Sequence, residues 1–536
     1  MSPQTAPPQA TTVGPDVREG RAPRRLSDTR RTLLLTGLCF AVTFGTGMRA
    51  WSSVGLGGFD LGIFDQGVRG YAHFGLPVST LKYYHHDFPP GFSLLGDHFS
   101  PILALLAPLY WIWDDPRSLL LGQALLFAAG VPLIRRISDH AFAAAEPGLR
   151  RRARDLAGLV FGLGWPLLVA SQVGFHEVGF AVPLTLLMLE RGTARAYRTV
   201  VLAAVLLCCT KEDLGLMVAA YGVVLLWRAR DPIEDRAARL TGGGLLLSGL
   251  AATVVTVQWL IPAMGGEPGY YWHYDAIGPD APTAAVHAVT DPVLLLRAAT
   301  DHALKPLLLL WLFGTLFLLP LRSATALCAV PLLAERILSS NPNHWSVARH
   351  YDAFLWPILL TATIEVLGRL HGPVGTRRVH WLGVGLAGVS LATAVPLGLA
   401  ELAVPAQWSP GHRQVALLKA AKLIPNGVWV EADNPIAPRL TARDHVVLVD
   451  QAPRGCEYVL LRSVGRSFPF STDQQQRERL RLLLAHGYQE VYADDGAVLL
   501  HRVGHRPVPG EHVPGRGSKP IQDVVPPDVG HDLFRG

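Results

Sequence analysis

Long apolar runs, separated by short polar or arginine-bearing joints, recur along the chain from residue 33 to residue 398. At about 20 residues per membrane-spanning helix, with shorter runs accepted where flanking side chains reach the interface, the pattern predicts about eleven transmembrane helices. Their cores are 33–50, 117–134, 155–171, 177–190, 199–211, 214–228, 240–261, 305–321, 323–338, 352–370 and 380–398. The run 101–113 is apolar but too short to span and is stopped by Asp114, Asp115 and Pro116, so it reads as an interfacial helix. From about residue 404 to 503 the pattern changes. VALLKAAKLIP is an amphipathic helix, GVWVEAD and HVVLVD are strand-like, and CEYVLLR, QQRERLRLLLAHGYQEVYAD and AVLLHR continue the alternation. This predicts a small α/β domain, with no glycine-rich phosphate loop after any of its strands.

Composition fixes the class. Half of the 536 residues are hydrophobic and only 17% are charged, too apolar for an ordinary soluble enzyme and right for an α-helical polytopic membrane protein. The net charge of +6 sits at span ends and in the N-terminal tail. No recognition motif accompanies it, so it predicts orientation in lipid and no nucleic-acid partner. With 101–113 kept out of the count of spans, the arginines at 135–136, 150–154, 191–198, 228–239, 322 and 369–378 all fall on one side. The positive-inside bias makes that side cytoplasmic, in the plasma membrane, with the N-terminus inside and the C-terminal domain outside. The expected organisation is a disordered N-terminus at 1–31, a transmembrane unit at 32–400 with its first outer loop at 51–116, an extracytoplasmic α/β domain at 401–503, and a disordered tail at 504–536. Of the five cysteines, Cys39, Cys208, Cys209 and Cys328 lie inside apolar runs and Cys456 does not, a pattern of neither a disulfide framework nor a zinc site.

Candidate chemistry gathers on the outer side. The first outer loop interleaves acids, histidines and aromatics and carries Asp60, Asp65, Gln66, Asp97 and His98. A carboxylate at the outer end of the first span suits a general base or a ligand for a divalent cation, the one candidate cofactor. Asp60 and Asp65 are the candidates, with Asp97 and His98 completing such a site. The competing reading makes Asp60 a helix N-cap and leaves Asp65 solvated. An ionised side chain at the bilayer centre costs roughly 2.5–3.5 kcal/mol, so charges beside spans need a reason. Lys211, Glu212 and Asp213 interrupt an apolar stretch, either as a solvated hairpin tip or as a lysine that binds an anionic head group. His176 and Glu177 occupy another outer turn, where imidazole and carboxylate can share a proton or a metal. Arg349, His350 and Tyr351 form a third cluster, either an interfacial anchor or a guanidinium that grips a phosphate.

Five strings taken together, FDLGIFDQ (59–66), GDHFSPI (96–102), GFHE (174–177), TKED (210–213) and ARHYDAFLWP (348–357), resemble a family of bacterial polytopic membrane proteins, domain of unknown function 2079. More distantly, the layout is similar to the GT-C superfamily of membrane glycosyltransferases. That resemblance implies polyprenyl-phosphate-linked sugar donors, an acidic residue after the first span (Asp60, then Asp65), interfacial helices in the first outer loop, and a lysine at the start of an outer-facing helix (Lys211). The chain departs from better-known members in lacking an adjacent acidic pair in that loop. The expectation is a glycosyltransferase in which Asp60 or Asp65 is the base. Lys211, Arg349, His350 and Tyr351 hold the donor phosphate, while Gln66, Asp97, His98, His176, Glu177, Glu212 and Asp213 support the polar site. The alternative is a transporter, lipid-handling or structural membrane protein without covalent chemistry.

Overall fold

The computed structural model describes residues 27–267, 269–504 and 508–512. Six helices are long and apolar enough to cross a membrane: Asp28–Ser52, Arg117–Ala141, Pro147–Gln172, Arg236–Ala263, Asp352–Val374 and Thr376–Leu402. Other apolar stretches form shorter helices, Val178–Thr193, Tyr197–Cys208 and Leu214–Arg228. Three expected spans are not continuous. The run 155–171 breaks at Leu163 and Gly164 and resumes at Trp165, where Pro166 sits without cost in a first helical turn. The run 305–321 stops at Gly314, because Phe317 and Leu318 both turn left-handed at φ 56° and Pro320 follows. The run 323–338 is a tight turn followed by a helix of only nine residues, Val330–Leu338, about half the length that ~30 Å of hydrocarbon requires.

The expected disorder also needs a correction at its edge. Ser27 caps the first helix by accepting the Arg30 N–H at 3.3 Å. Within the first turns, Asp28 pairs with Arg135 at 2.8 Å and Arg31 with Asp155 at 2.5 Å. The rest of that stretch, 1–26, and the tail from 513 onward lie outside the described residues.

Burial follows sequence. Asp352–Val374 is apolar all round and forms the centre of the bundle, with 83% of its most apolar window buried, against 17% for Arg236–Ala263. The latter leaves Leu240, Leu247, Leu250 and Val254 exposed as a lipid-facing side. Its other side meets Leu214–Arg228 glycine to glycine. A Cβ on Gly222 would stand 2.5 Å from the Gly242 carbonyl oxygen, and one on Gly249 2.4 Å from that of Gly215. With no hydrophobic force between helices in lipid, this backbone approach supplies the packing.

The C-terminal sheet contains β1 (Trp429–Ala432), β2 (His445–Leu448), β3 (Tyr458–Arg462), β4 (Tyr488–Asp494) and β5 (Ala497–Arg502), in the order β2-β1-β3-β5-β4. β1 runs parallel to β2 and β3, whereas β5 is antiparallel to β3 and β4. This sheet is clasped to the first loop. Gln66 and Thr80 both donate to the Val446 carbonyl, His85 reaches Asp450 at 3.1 Å, Asp87 meets His512 at 2.5 Å, and the Arg439 guanidinium lies 3.8 Å from the centre of the Trp51 ring.

Candidate functional site

The three polar clusters expected from the sequence converge at the loop end of the bundle. Asp60 lies in the turn Gly58–Gly62, where Phe59 leaves helical geometry at φ −82°, ψ 50°. Its side chain is 43% exposed and approaches His176 Nε2 at 3.5 Å. His176 itself is buried. The turn that carries it is fixed by Gln123, which accepts the His176 N–H at 3.0 Å and donates to the Gly174 carbonyl at 2.9 Å. The His176 ring stacks on His350 with centroids 3.6 Å apart, and its buried Nδ1 has no hydrogen-bond partner among the described residues. An accessible carboxylate therefore rests on a buried imidazole pair, an arrangement in which the exposed carboxylate is placed to take a proton.

Electrostatics around this pair are set by burial and by cations. Burial, then His176, Lys211 and Arg349, hold the His350 imidazole well below its ordinary range. Burial also raises Tyr351, against the pull of Lys211 and with the push of Asp60. Glu177, buried at the start of Val178–Thr193, lies within electrostatic reach of both Lys211 and Tyr351.

Lys211 lies 5.8 Å from the centre of the Phe354 ring and donates to Asp213 at 2.8 Å. Burial opposes its charge, but Asp213, Glu212 and Glu177 outweigh burial and hold the ammonium well above its usual range. Arg349 differs. Its Nε donates to the Asn343 side-chain oxygen at 3.1 Å, and no carboxylate pairs with it among the described residues. The segment that presents Arg349 to Tyr351 is pinned by Arg336, which donates to the His344 carbonyl at 2.6 Å and pairs with the fully buried Asp352.

Other expected residues have different places. Asp65 is fully buried and bonded to Arg69 at 3.0 Å and Tyr110 at 2.8 Å, a packing role away from the exposed carboxylate. Burial raises its carboxyl even against Arg69. Gln66 bonds Ser79 and Thr80 and reaches the sheet, so it braces the loop. Asp97 pairs with Lys82 at 2.9 Å. His98 and Glu212 form a 2.7 Å pair next to Lys211, with Glu212 also accepting the Phe99 N–H. Burial disfavours charge on both, yet Glu212 lifts His98 to about 9, and His98 with Lys211 holds Glu212 down to about 2.

Sequence reasoning missed Glu335, His344 and Arg336. Glu335 stands within reach of Lys211 and Asp213, and His344 is pushed down to about 3 by burial and by His273. A signal for Glu335 and Arg336 existed, since both charges interrupt an apolar run. Among the described residues no group of three or more His, Cys, Asp or Glu is disposed to hold a metal ion. An apolar cavity between helices, lined by Phe142, Leu149, Val160 and Leu367, lies apart from this polar cluster and is a packing gap.

Solved structures similar to the chain include ArnT from Cupriavidus metallidurans bound to undecaprenyl phosphate, at 14% identity and a TM-score of 0.46, with 89% of this chain and 99% of that chain covered. ArnT from the same organism in the apo state is similar at 13% identity and a TM-score of 0.48, with 88% and 98% covered. No curated protein matches the sequence. Residues 51–499 match the family described as predicted membrane protein (DUF2079), and the chain belongs to that family.

Proposed function

We propose that this membrane protein transfers a sugar, with inversion, from a polyprenyl-phosphate donor to an acceptor hydroxyl at the outer face of the plasma membrane. The observation that carries this reading is the meeting of an exposed carboxylate, Asp60, with the His176–His350 pair, in a cluster that also holds the cations Lys211 and Arg349. The resemblance of the five sequence strings to the family, and of the layout to GT-C transferases, agrees with it. In this reading the transmembrane unit 32–400 holds the site, and the unit 401–503 faces outward and braces the first loop.

The reaction needs little from the protein beyond position and charge. Asp60 accepts the acceptor's hydroxyl proton as the acceptor oxygen bonds to the anomeric carbon. The bond from that carbon to the phosphate oxygen breaks, and its electron pair leaves with polyprenyl phosphate. Arg349 and Lys211 stabilise the charge that gathers on the leaving phosphate, and His176 steadies the protonated Asp60. The prenyl chain lies along the lipid-facing helices, which is why the site needs a membrane scaffold.

The test is incubation of the purified protein in lipid with a panel of polyprenyl-phosphate sugars, following release of polyprenyl phosphate from wild type and Asp60→Ala. Release that depends on Asp60 is the expected result. A folded wild type that releases polyprenyl phosphate from no donor would overturn the proposal.

A further inference from the structure

We infer that Asn434, in the C-terminal sheet domain, is a positioning residue that sets the geometry of Asp60. The inference rests on the reading of Asp60 as the base. Asn434 makes two bonds to the two residues that precede Asp60: its carbonyl accepts the Gly58 N–H at 2.7 Å, and its side-chain oxygen accepts the Phe59 N–H at 2.8 Å. These are the donors at the start of the irregular turn, where Phe59 departs from helical geometry and no side chain within the turn caps it.

The approach is close because of two glycines. A Cβ on Gly57 would stand 2.6 Å from the Asn434 amide nitrogen, and one on Gly58 2.6 Å from the Ala437 Cβ. Asn434 is itself held by its neighbours. It follows Asp433 directly after β1, and Asp433 is buried, bonded to Arg462 at 2.5 Å and to Ser467, and donates its N–H to the Leu460 carbonyl at 2.8 Å. The end of an interior strand thus reaches across some 375 residues of sequence to fix the backbone on which the carboxylate sits. The small domain is part of the site's geometry, since an error of about 1 Å in a reacting group costs on the order of 100-fold in rate.

The experiment compares wild type with Asn434→Ala, Asn434→Asp and Gly57→Ala in lipid, reading both hydrogen exchange and turnover. Asn434→Ala keeps the backbone bond to Gly58 and loses only the bond to Phe59. Exchange at the Phe59 amide should accelerate at least about 10-fold while the helix Ile63–Ala72 stays protected. Its kcat should fall roughly 10- to 100-fold with donor KM unchanged. Gly57→Ala should reproduce both effects by displacing the amide. Asn434→Asp keeps an acceptor oxygen, so it should restore Phe59 protection. The new carboxylate beside the turn should also move the acid limb of the kcat profile to higher pH. Unchanged exchange at Phe59 in Asn434→Ala would overturn the anchoring, and a loss carried by KM would overturn the positioning role. A wild type inactive on every donor would instead overturn the reading of Asp60 as base, and with it the catalytic half of the inference, while exchange would still decide the anchoring.

Discussion

Replacing Arg336 by leucine should destabilise this protein more than any single loss at its surface. Arg336 and Asp352 are both buried, with side-chain exposures of 5% and 0%, and the guanidinium also serves the carbonyls of His344 at 2.6 Å and Ser346 at 3.5 Å. Arg336→Leu strands a carboxylate at the head of the central helix with no water to take over, a cost of about 3–5 kcal/mol. Removing both charges, as Arg336→Leu with Asp352→Leu, strands nothing ionic and should recover most of that cost. Thermal midpoints of the four proteins in one detergent at one scan rate give the comparison, since a polytopic chain does not unfold in two states. The single Arg336→Leu variant should have the lowest midpoint of the four. A double variant no more stable than the sum of the two single losses would refute the argument, because the stranded charge would then not be the source of the loss. Limited proteolysis within 339–351 supplies a local readout, because Arg336 holds two carbonyls of that segment.

The remaining expectations separate chemistry from scaffold. Asp65→Asn should lower stability by about 1–3 kcal/mol, through weakened bonds to Tyr110 and Arg69, and leave kcat per folded molecule near wild type. Loss of turnover comparable to that of Asp60→Ala would show that Asp65 was misassigned. His98, lifted to about 9 by Glu212 from an ordinary 6.5, contributes its pairing fully below pH 6.5 and loses it as pH rises toward 9. Thermal stability should therefore decline over that interval, and His98→Gln should flatten the decline. Arg349→Ala should lower kcat by roughly 100- to 1,000-fold in the release assay, with Lys211→Ala the milder of the two. The reverse order would point to Lys211 as the principal phosphate ligand.

Much of this architecture was legible because bilayer and pattern speak the same language. Apolar runs of sufficient length, the change of period after residue 404, and the strings around Asp60, His176, Lys211 and Arg349 each carried a local signal. Breaks inside apolar runs did not. Phe317 and Leu318 adopt left-handed backbone, a conformation those side chains disfavour on their own, so tertiary packing and not local preference decides it. The burial of Asp65 is not legible either, because a buried carboxylate paired to Arg69 and Tyr110 looks, in sequence, like an exposed one beside it. Asn434 carried no signal at all. Its role exists only once the end of β1 and the first loop are brought together.

Charge balance decides what kind of phosphate such a site would favour. Lys211 is matched by Asp213, Arg336 by Asp352 and His98 by Glu212, whereas Arg349 bonds the Asn343 amide oxygen and, among the described residues, no carboxylate. Among the described residues an arriving anion therefore finds one guanidinium with no carboxylate partner, with Glu177 within electrostatic reach of the neighbouring Lys211. One such cation suits a single negative charge. On the proposed reaction the donor is a phosphodiester carrying one charge, and the departing polyprenyl phosphate is a monoester whose second proton ionises near pH 6. A second negative charge close to Glu177, Glu212 and Asp213 is repelled. On that reaction, the residues that hold the donor would also favour departure of the product, and a stronger cationic pocket would bind the product more tightly and turn over more slowly.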